Sequence, residues 1–219
     1  MFIAIVPAYN EEKTIGSVVR SLFEHVDKVV VVDDASKDNT FGEAKKTGAI
    51  VLKHKINCGQ GAALETGHEY ARRVEADYVL HFDGDGQFNA GDVEPALKQL
   101  KEEDAEILFG SRFLDDRSNV PWFKKNVLYP VGYVVNKIFG AVKLTDVHNG
   151  FRILNKKALN KIQITHDKMA HATEIVSLAK KYNLKYIEFP VKVTYSEYGQ
   201  GVSGGIKIVR DLLFGKFVK

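Results

Sequence analysis

Tyr78-Val79-Leu80-His81-Phe82 runs without a break into Asp83-Gly84-Asp85-Gly86-Gln87. The first five residues are almost continuously apolar or aromatic, the pattern of a strand covered on both faces. The next five are polar in a way that packing does not require. On an extended backbone Asp83, Asp85 and Gln87 share one side, while Gly84 and Gly86 leave the other bare for close approach of a ligand. Two carboxylates converging at a strand end repel unless a cation lies between them. An oxygen-only set with open positions suits Mg²⁺ or Mn²⁺, which usually keeps substrate phosphates in its shell. By itself an Asp-x-Asp is weak evidence, because Asp also caps helices and glycine also makes turns.

The same arrangement recurs on either side. Apolar runs at Phe2 to Val6, Lys28 to Val32, Ile50 to Lys53 and Glu106 to Gly110 alternate with amphipathic stretches at Glu12 to Phe23, Asn39 to Thr47, Gly61 to Val74 and Asp92 to Glu103. Ile15, Val18, Val19 and Leu22 repeat at helical spacing. Strands alternating with helices predict an α/β fold with a mostly parallel central sheet and helices on both faces. In such sheets ligands sit at the carboxyl ends of the strands. Those ends read Pro7-Ala8-Tyr9-Asn10-Glu11-Glu12, Asp33-Asp34-Ala35-Ser36, and His54 followed by Asn57-Cys58-Gly59-Gln60-Gly61. Ser36 and Asp38 are expected to be helix-capping residues. After Gly110 the regularity stops: 111–146 is aromatic and basic, followed by a strand at Phe151 to Leu154, a helix at Ala172 to Tyr182, a strand pair at Tyr186 to Tyr195 and a helix-like stretch at Ile206 to Val218. The second half reads as an elaboration on the sheet, so one domain is expected over 1–219, with 1–110, 111–203 and 204–219 as its parts.

Composition narrows the classes. At 219 residues, 45% hydrophobic and 27% charged, the chain is ordinary globular material, and folding should bury roughly 70% of its unfolded surface without staples. Cys58 is the single cysteine, so no internal disulfide forms. A net charge of +3 gives no argument for a nucleic-acid partner. No stretch approaches the ~20 apolar residues that cross a bilayer. No Gly-x-Gly-x-x-Gly follows the first strand, against a dinucleotide-dependent oxidoreductase. Nor is there the glycine-rich, arginine-bearing loop a sugar-phosphate nucleotidyltransferase needs there.

Taken in order, Val6 to Glu11, Val32 to Thr40, Asn57 to Ala62, Asp83 to Gln87, Gly110-Ser111-Arg112-Phe113 and Asn149-Gly150-Phe151-Arg152 resemble family 2 of the inverting glycosyltransferases, and within it the polyprenyl-phosphate glycosyltransferases. The resemblance runs from Phe2 to about Ser203. It implies the GT-A fold, a UDP- or GDP-sugar donor and a divalent metal. It places Pro7, Ala8, Tyr9, Glu11, Gly61 and Gly84 around the donor, Asp34 at its base or ribose with Asp33 beside it, and the metal between Asp83, Asp85 and Gln87. Neutralising the leaving nucleoside diphosphate is then the expected main catalytic contribution, with Arg112 as a fixed cation near the phosphates.

On the acceptor side the resemblance implies Asp146, Asn149, Gly150 and Arg152, and puts Glu174 where a catalytic carboxylate is often found. A polyprenyl phosphate is already an anion and needs only positive groups to hold it, for which Lys124, Lys125 and Arg152 are candidates. A saccharide or protein hydroxyl would instead need Glu174 as general base. A non-catalytic, transferase-like subunit is a third reading. The loop Tyr195 to Ser203 lacks the arginine common in prenyl-phosphate mannosyl transferases, which leaves sugar and acceptor open; Gln200 and Ser203 are its candidate contacts. His148 and His171 receive no role. Ile206 to Lys219 carries an apolar stripe with Lys207, Arg210 and Lys216 mostly off it, fitting either a packed helix or one lying on a membrane. The expectation is a cytoplasmic protein that meets any membrane peripherally, alone, as a homo-oligomer or through a separate anchoring subunit.

Overall fold

The apolar runs become strands because each is β-branched, short and covered on both sides. The structure, a computed structural model, describes residues 1–118, 144–167 and 170–194. Its elements are β1 (Phe2–Ala8), α1 (Ile15–Leu22), β2 (Lys28–Asp33), α2 (Thr40–Lys46), β3 (Ile50–Lys53), α3 (Gln60–Arg73), β4 (Tyr78–His81), a 3₁₀ turn (Ala90–Asp92), α4 (Val93–Glu102), β5 (Ile107–Ser111), β6 (Arg152–Asn155), α5 (Lys156–Lys161), α6 (His171–Lys181) and β7 (Tyr186–Pro190). They form one seven-stranded sheet in the order β3-β2-β1-β4-β6-β5-β7. β1, β2, β3 and β4 pair in parallel, and β6 lies antiparallel between β4 and β5.

Alternation along the strands sorts the core into two layers. Ala4, Val6, Val31 and Leu80 face Ile15, Val19 and Leu22 of α1 and Val93 and Leu100 of α4. Ile3, Ile5, Val30 and Val79 face Leu64 of α3, Leu159 of α5 and Ile175 of α6. Burying one such leucine or isoleucine is worth about 1.5–3 kcal/mol, so both layers hold the sheet rigid beneath its loops.

Strand order reverses at β1, which has β2 on one side and β4 on the other. β4 stops pairing at His81, opposite Ile5, whereas β1 continues beside β2 to Ala8. Pro7 faces the side that β4 has left, where its missing N–H deprives no ladder. A crevice therefore opens between the two strand ends, the place where such sheets bind ligands.

Three expectations need correction. The strand pair expected over Tyr186 to Tyr195 is not found in its described part, 186–194: β7 ends at Pro190, and Val193 makes an isolated bridge to Phe88. α5 was not expected, being too short for periodicity to reveal. The Asp83 to Gln87 stretch is a turn rather than an extended segment, with Gly86 at a φ of 76°. Among the described residues no helix is long and apolar enough to cross a membrane. Lys124, Lys125, Gln200, Ser203 and the Ile206 to Lys219 stretch lie outside the described residues.

Candidate active site

The β1–α1 and β2–α2 loops are tied to each other. Asn10, in the left-handed region at φ 59°, donates its N–H to Ser36 Oγ and accepts from Lys37 N. Glu11 N donates to Thr40 Oγ1 and Glu12 N to Asp38 Oδ2. Asp38 also accepts from Thr40 N at the start of α2, a capping contact, whereas Ser36 serves the neighbouring loop. These ties fix one wall of a cleft of about 300 Å³, which Pro7, Tyr9, Glu11, Asp34, Asn57 and Gln60 line, with Ala8, Gly84, Asp83 and Asp85.

Asp34, 3% exposed, is bound into that wall. Its Oδ1 accepts from Cys58 N at 2.8 Å and from His54 Nδ1 at 2.7 Å, and its Oδ2 from Gly59 N at 2.7 Å. Asp34, His54 and Cys58 are also the one His, Cys and acid group among the described residues close enough to share a cation. The hydrogens already on both Asp34 oxygens argue against that use. Asp33 is fully buried and accepts from Ser36 N; it holds the loop and does not line the cleft. Gly61 does not line it either. A side chain there would run into the His166 carbonyl oxygen, and Gly61 N donates to Asp167 O at 2.8 Å. It is a packing glycine, a correction to its expected place at the donor.

Asp83 and Asp85 stand where this cleft meets a smaller cavity of about 60 Å³, which Gln87, Phe88, Arg112, His148 and Gly150 line with them. Burial, then the Asp85 charge, pushes the Asp83 carboxyl up to about 6, against the pull of Arg152, Arg112 and a 2.8 Å hydrogen bond from Gln60 Nε2. Burial raises Asp85 as well, and Glu11 beside it. Gly150 presses against Asp83 so closely that a β-carbon would collide with its carboxylate. Two under-neutralised carboxylates and an amide on one cavity, braced from behind, form a donor set that fits a hard divalent cation.

Asp146 grips Arg112 through both oxygens, at 2.6 Å from Nε and 2.8 Å from Nη2, and Asn149 Nδ2 adds a 3.1 Å bond to the same carboxylate. Asp146 and Asn149 are buried. Asp146 aims Arg112 at the smaller cavity without lining it, whereas Asn149 lines that cavity beside Arg112 and Gly150. Arg152 departs furthest from expectation. It is 1% exposed, opposite His81 in the β4–β6 ladder, with Nε and Nη1 lacking a hydrogen-bond partner among the described residues. Burial lowers its guanidinium to about 10 while Asp83 and Asp146 hold it charged. It is an internal cation behind the carboxylates, not a surface contact. Behind it His81 and His68 meet at 2.7 Å, both held below the ordinary imidazole value by burial.

Glu174 is elsewhere. Its carboxylate accepts from Thr165 N, the Thr165 hydroxyl and His166 N, bonds that lower its pKa against the cost of burial, and it lines neither opening. It pins the 165–166 loop. Residues given no role from sequence, His54, Gln60 and His148, do reach the cleft or its walls; only their position after a strand end marked the first two.

Residues 3–163 match the family described as glycosyl transferase family 2. The chain belongs to that family. It is 33% identical to the UDP-N-acetylglucosamine–dolichyl-phosphate N-acetylglucosaminyltransferase of Methanococcus voltae, covering 98% of this chain and 96% of that one. It is 36% identical to an uncharacterized protein of Methanocaldococcus jannaschii, covering 97% and 90%. The glucosyl-3-phosphoglycerate synthase of Mycobacterium tuberculosis superposes with a TM-score of 0.74 at 17% identity, over 97% of this chain and 78% of that one. A crystal structure of the same synthase with Mn²⁺, uridine diphosphate and glucosyl-3-phosphoglycerate gives 0.70 at 18% identity, over 99% and 79%. The fold is thus that of the GT-A enzymes, and the chain is a glycosyltransferase.

Proposed function

We propose that this glycosyltransferase moves a sugar from a nucleoside-diphosphate sugar to a polyprenyl phosphate, with inversion at the anomeric carbon and a divalent cation held by Asp83, Asp85 and Gln87. The observation that carries the reading is the shared wall: Asp83 and Asp85 belong at once to the long cleft beside Asp34 and to the small cavity beside Arg112. A donor in the first would bring its diphosphate to the carboxylates, with its anomeric carbon toward the second. The relative from Methanococcus voltae is named for a dolichyl-phosphate acceptor, and the mycobacterial synthase holds Mn²⁺ with uridine diphosphate in the same fold.

When bound, the cation neutralises charge on the departing diphosphate. This chain's own groups do the rest. Tyr9, Glu11 and Asp34 hold the nucleoside. Gln60 and Gly150 keep Asp83 aimed, and Arg152 supplies a fixed positive charge behind it. Arg112, locked bidentately by Asp146, offers its cation to the acceptor phosphate or the sugar side of the diphosphate. The acceptor oxygen is already anionic at neutral pH, so no base is required. That agrees with Glu174, whose oxygens are occupied by its own loop; we assign it to that loop and not to catalysis. Lys124, Lys125, Gln200 and Ser203 remain the proposed acceptor contacts, which a lipid substrate would reach at a membrane surface.

The test is a panel of UDP- and GDP-sugars with Mn²⁺ or Mg²⁺ and polyprenyl phosphate, scored for labelled product extracted into organic solvent. Lipid-linked product dependent on the metal is expected. Turnover only onto a soluble glycan would overturn the acceptor assignment.

A further inference from the structure

Asp34 carries more hydrogens than a ligand-binding carboxylate ordinarily does. A carboxylate offers about four acceptor positions. Cys58 N and His54 Nδ1 fill both on Oδ1, and Gly59 N fills one on Oδ2. Facing a carboxylate oxygen, His54 Nδ1 is the donor of that bond, and its Nε2 meets the Thr66 hydroxyl 2.9 Å away. The ring is held at both ends, by the carboxylate just after β2 and by α3. Two of the three donors to Asp34 are backbone amides that any sequence would supply. His54 is the side chain that decides how many positions are left, and it leaves one.

Resting on the nucleotide-sugar reading above, we propose that His54 is a specificity-determining residue: by filling Asp34 Oδ1 it restricts the donor's base to one that offers a single N–H at this carboxylate, as uracil does. Uracil presents one N–H between two carbonyls. Guanine presents a ring N–H and an amino group side by side, and its second donor would be buried without a partner. Asn57 strengthens the distinction. Its Nδ2 donates to the Asp34 carbonyl at 3.2 Å, and the residue lines the cleft, so the second amide hydrogen can serve a base carbonyl next to the N–H. His54 touches Asp34 and not the base, so it acts by position.

Binding of UDP and GDP to the full chain, measured calorimetrically in the presence of Mn²⁺, tests this. The wild type is expected to bind UDP at least about tenfold more tightly than GDP, the factor for one buried donor left unpaired. His54→Ala should shrink that ratio about tenfold, whereas His54→Asn, whose side-chain amide can donate to the same oxygen, should keep it within about threefold. Thr66→Val, which frees the far side of the ring, should narrow it by about threefold and serves if His54→Ala does not fold. Equal affinities in the wild type, or an unchanged ratio in a folded His54→Ala or in Thr66→Val, would overturn the role of His54 while leaving the donor class intact. If the wild type binds neither nucleotide, the nucleotide-sugar reading falls, and this inference with it.

Discussion

The molecule places an acidic pair at the end of β2 and another just beyond β4, and the two are opposites. Asp34 is well supplied and Asp33 is tied down: the loops close over Asp34 with two backbone N–H groups and His54, and Asp33 accepts from Ser36 N with the ammonium of Lys53 3.4 Å away. Asp83 and Asp85 are starved. Between them they accept from Gln60 and the Gln87 N–H; burial lifts the pKa of both, and the Asp85 charge lifts Asp83 further. A carboxylate with three of its positions filled can recognise one further N–H; one left short of hydrogens waits for charge. Residue type and position in the fold are the same, and the count of donors separates recognition from catalysis.

The sharpest way to break the comparison is to remove the starved pair. Asp85→Ala should abolish Mn²⁺ binding and cut transfer by about 10³-fold or more, because the main electrostatic contribution goes with the metal. Metal-free nucleotide binding should change by less than about threefold, and a titration of each ligand separates the two. Asp34→Asn should do the reverse: about 100-fold weaker nucleotide binding and a lower melting temperature, since an amide now faces N–H groups built for an acceptor. Mn²⁺ binding without nucleotide should survive it.

Neutralising the other pair should move stability the opposite way. The raised Asp83 carboxyl favours the fold while protonated. That stability is complete below the unfolded value near 4 and is lost as pH rises through about 6. Asp83→Asn should therefore stabilise the metal-free protein by about 1–3 kcal/mol at neutral pH and by almost nothing near pH 4, read from denaturant midpoints at both. A destabilised Asp83→Asn would erase the contrast. The smallest effect is expected at Glu174→Gln: transfer within about threefold of wild type with a melting temperature a few degrees lower. Loss of transfer with donor binding intact would restore Glu174 as a base and bring back the hydroxyl acceptor.

Strand positions and the crevice were legible in the sequence because parallel buried strands must be continuously apolar and must end in polar residues if a ligand binds there. What was not legible depends on partners distant in the chain. Arg152 reads as a surface cation by its type, and only the antiparallel pairing with β4 reveals it as buried. Glu174 resembles a catalytic carboxylate until the Thr165 and His166 amides are seen on it. Asp33 and Asp34 look alike on paper, yet one serves its loop and the other the cleft. Gly61 belongs to a motif, but what it meets is the loop before α6.

The placement of β6 has a bearing on how the chain is made. β5 pairs only with β6 and β7, both later in the sequence. During synthesis Ile107–Ser111 must wait for Arg152–Asn155, about 40 residues on, or roughly 2–8 s at ~5–20 residues per second. Until then it is a bare, apolar edge open to chaperones or to a neighbouring nascent chain. Arg112 directly follows that strand, and Asp146, which grips it, lies a few residues before its partner. The insertion of β6 into the sheet and the assembly of the reactive end of the crevice are thus one folding event.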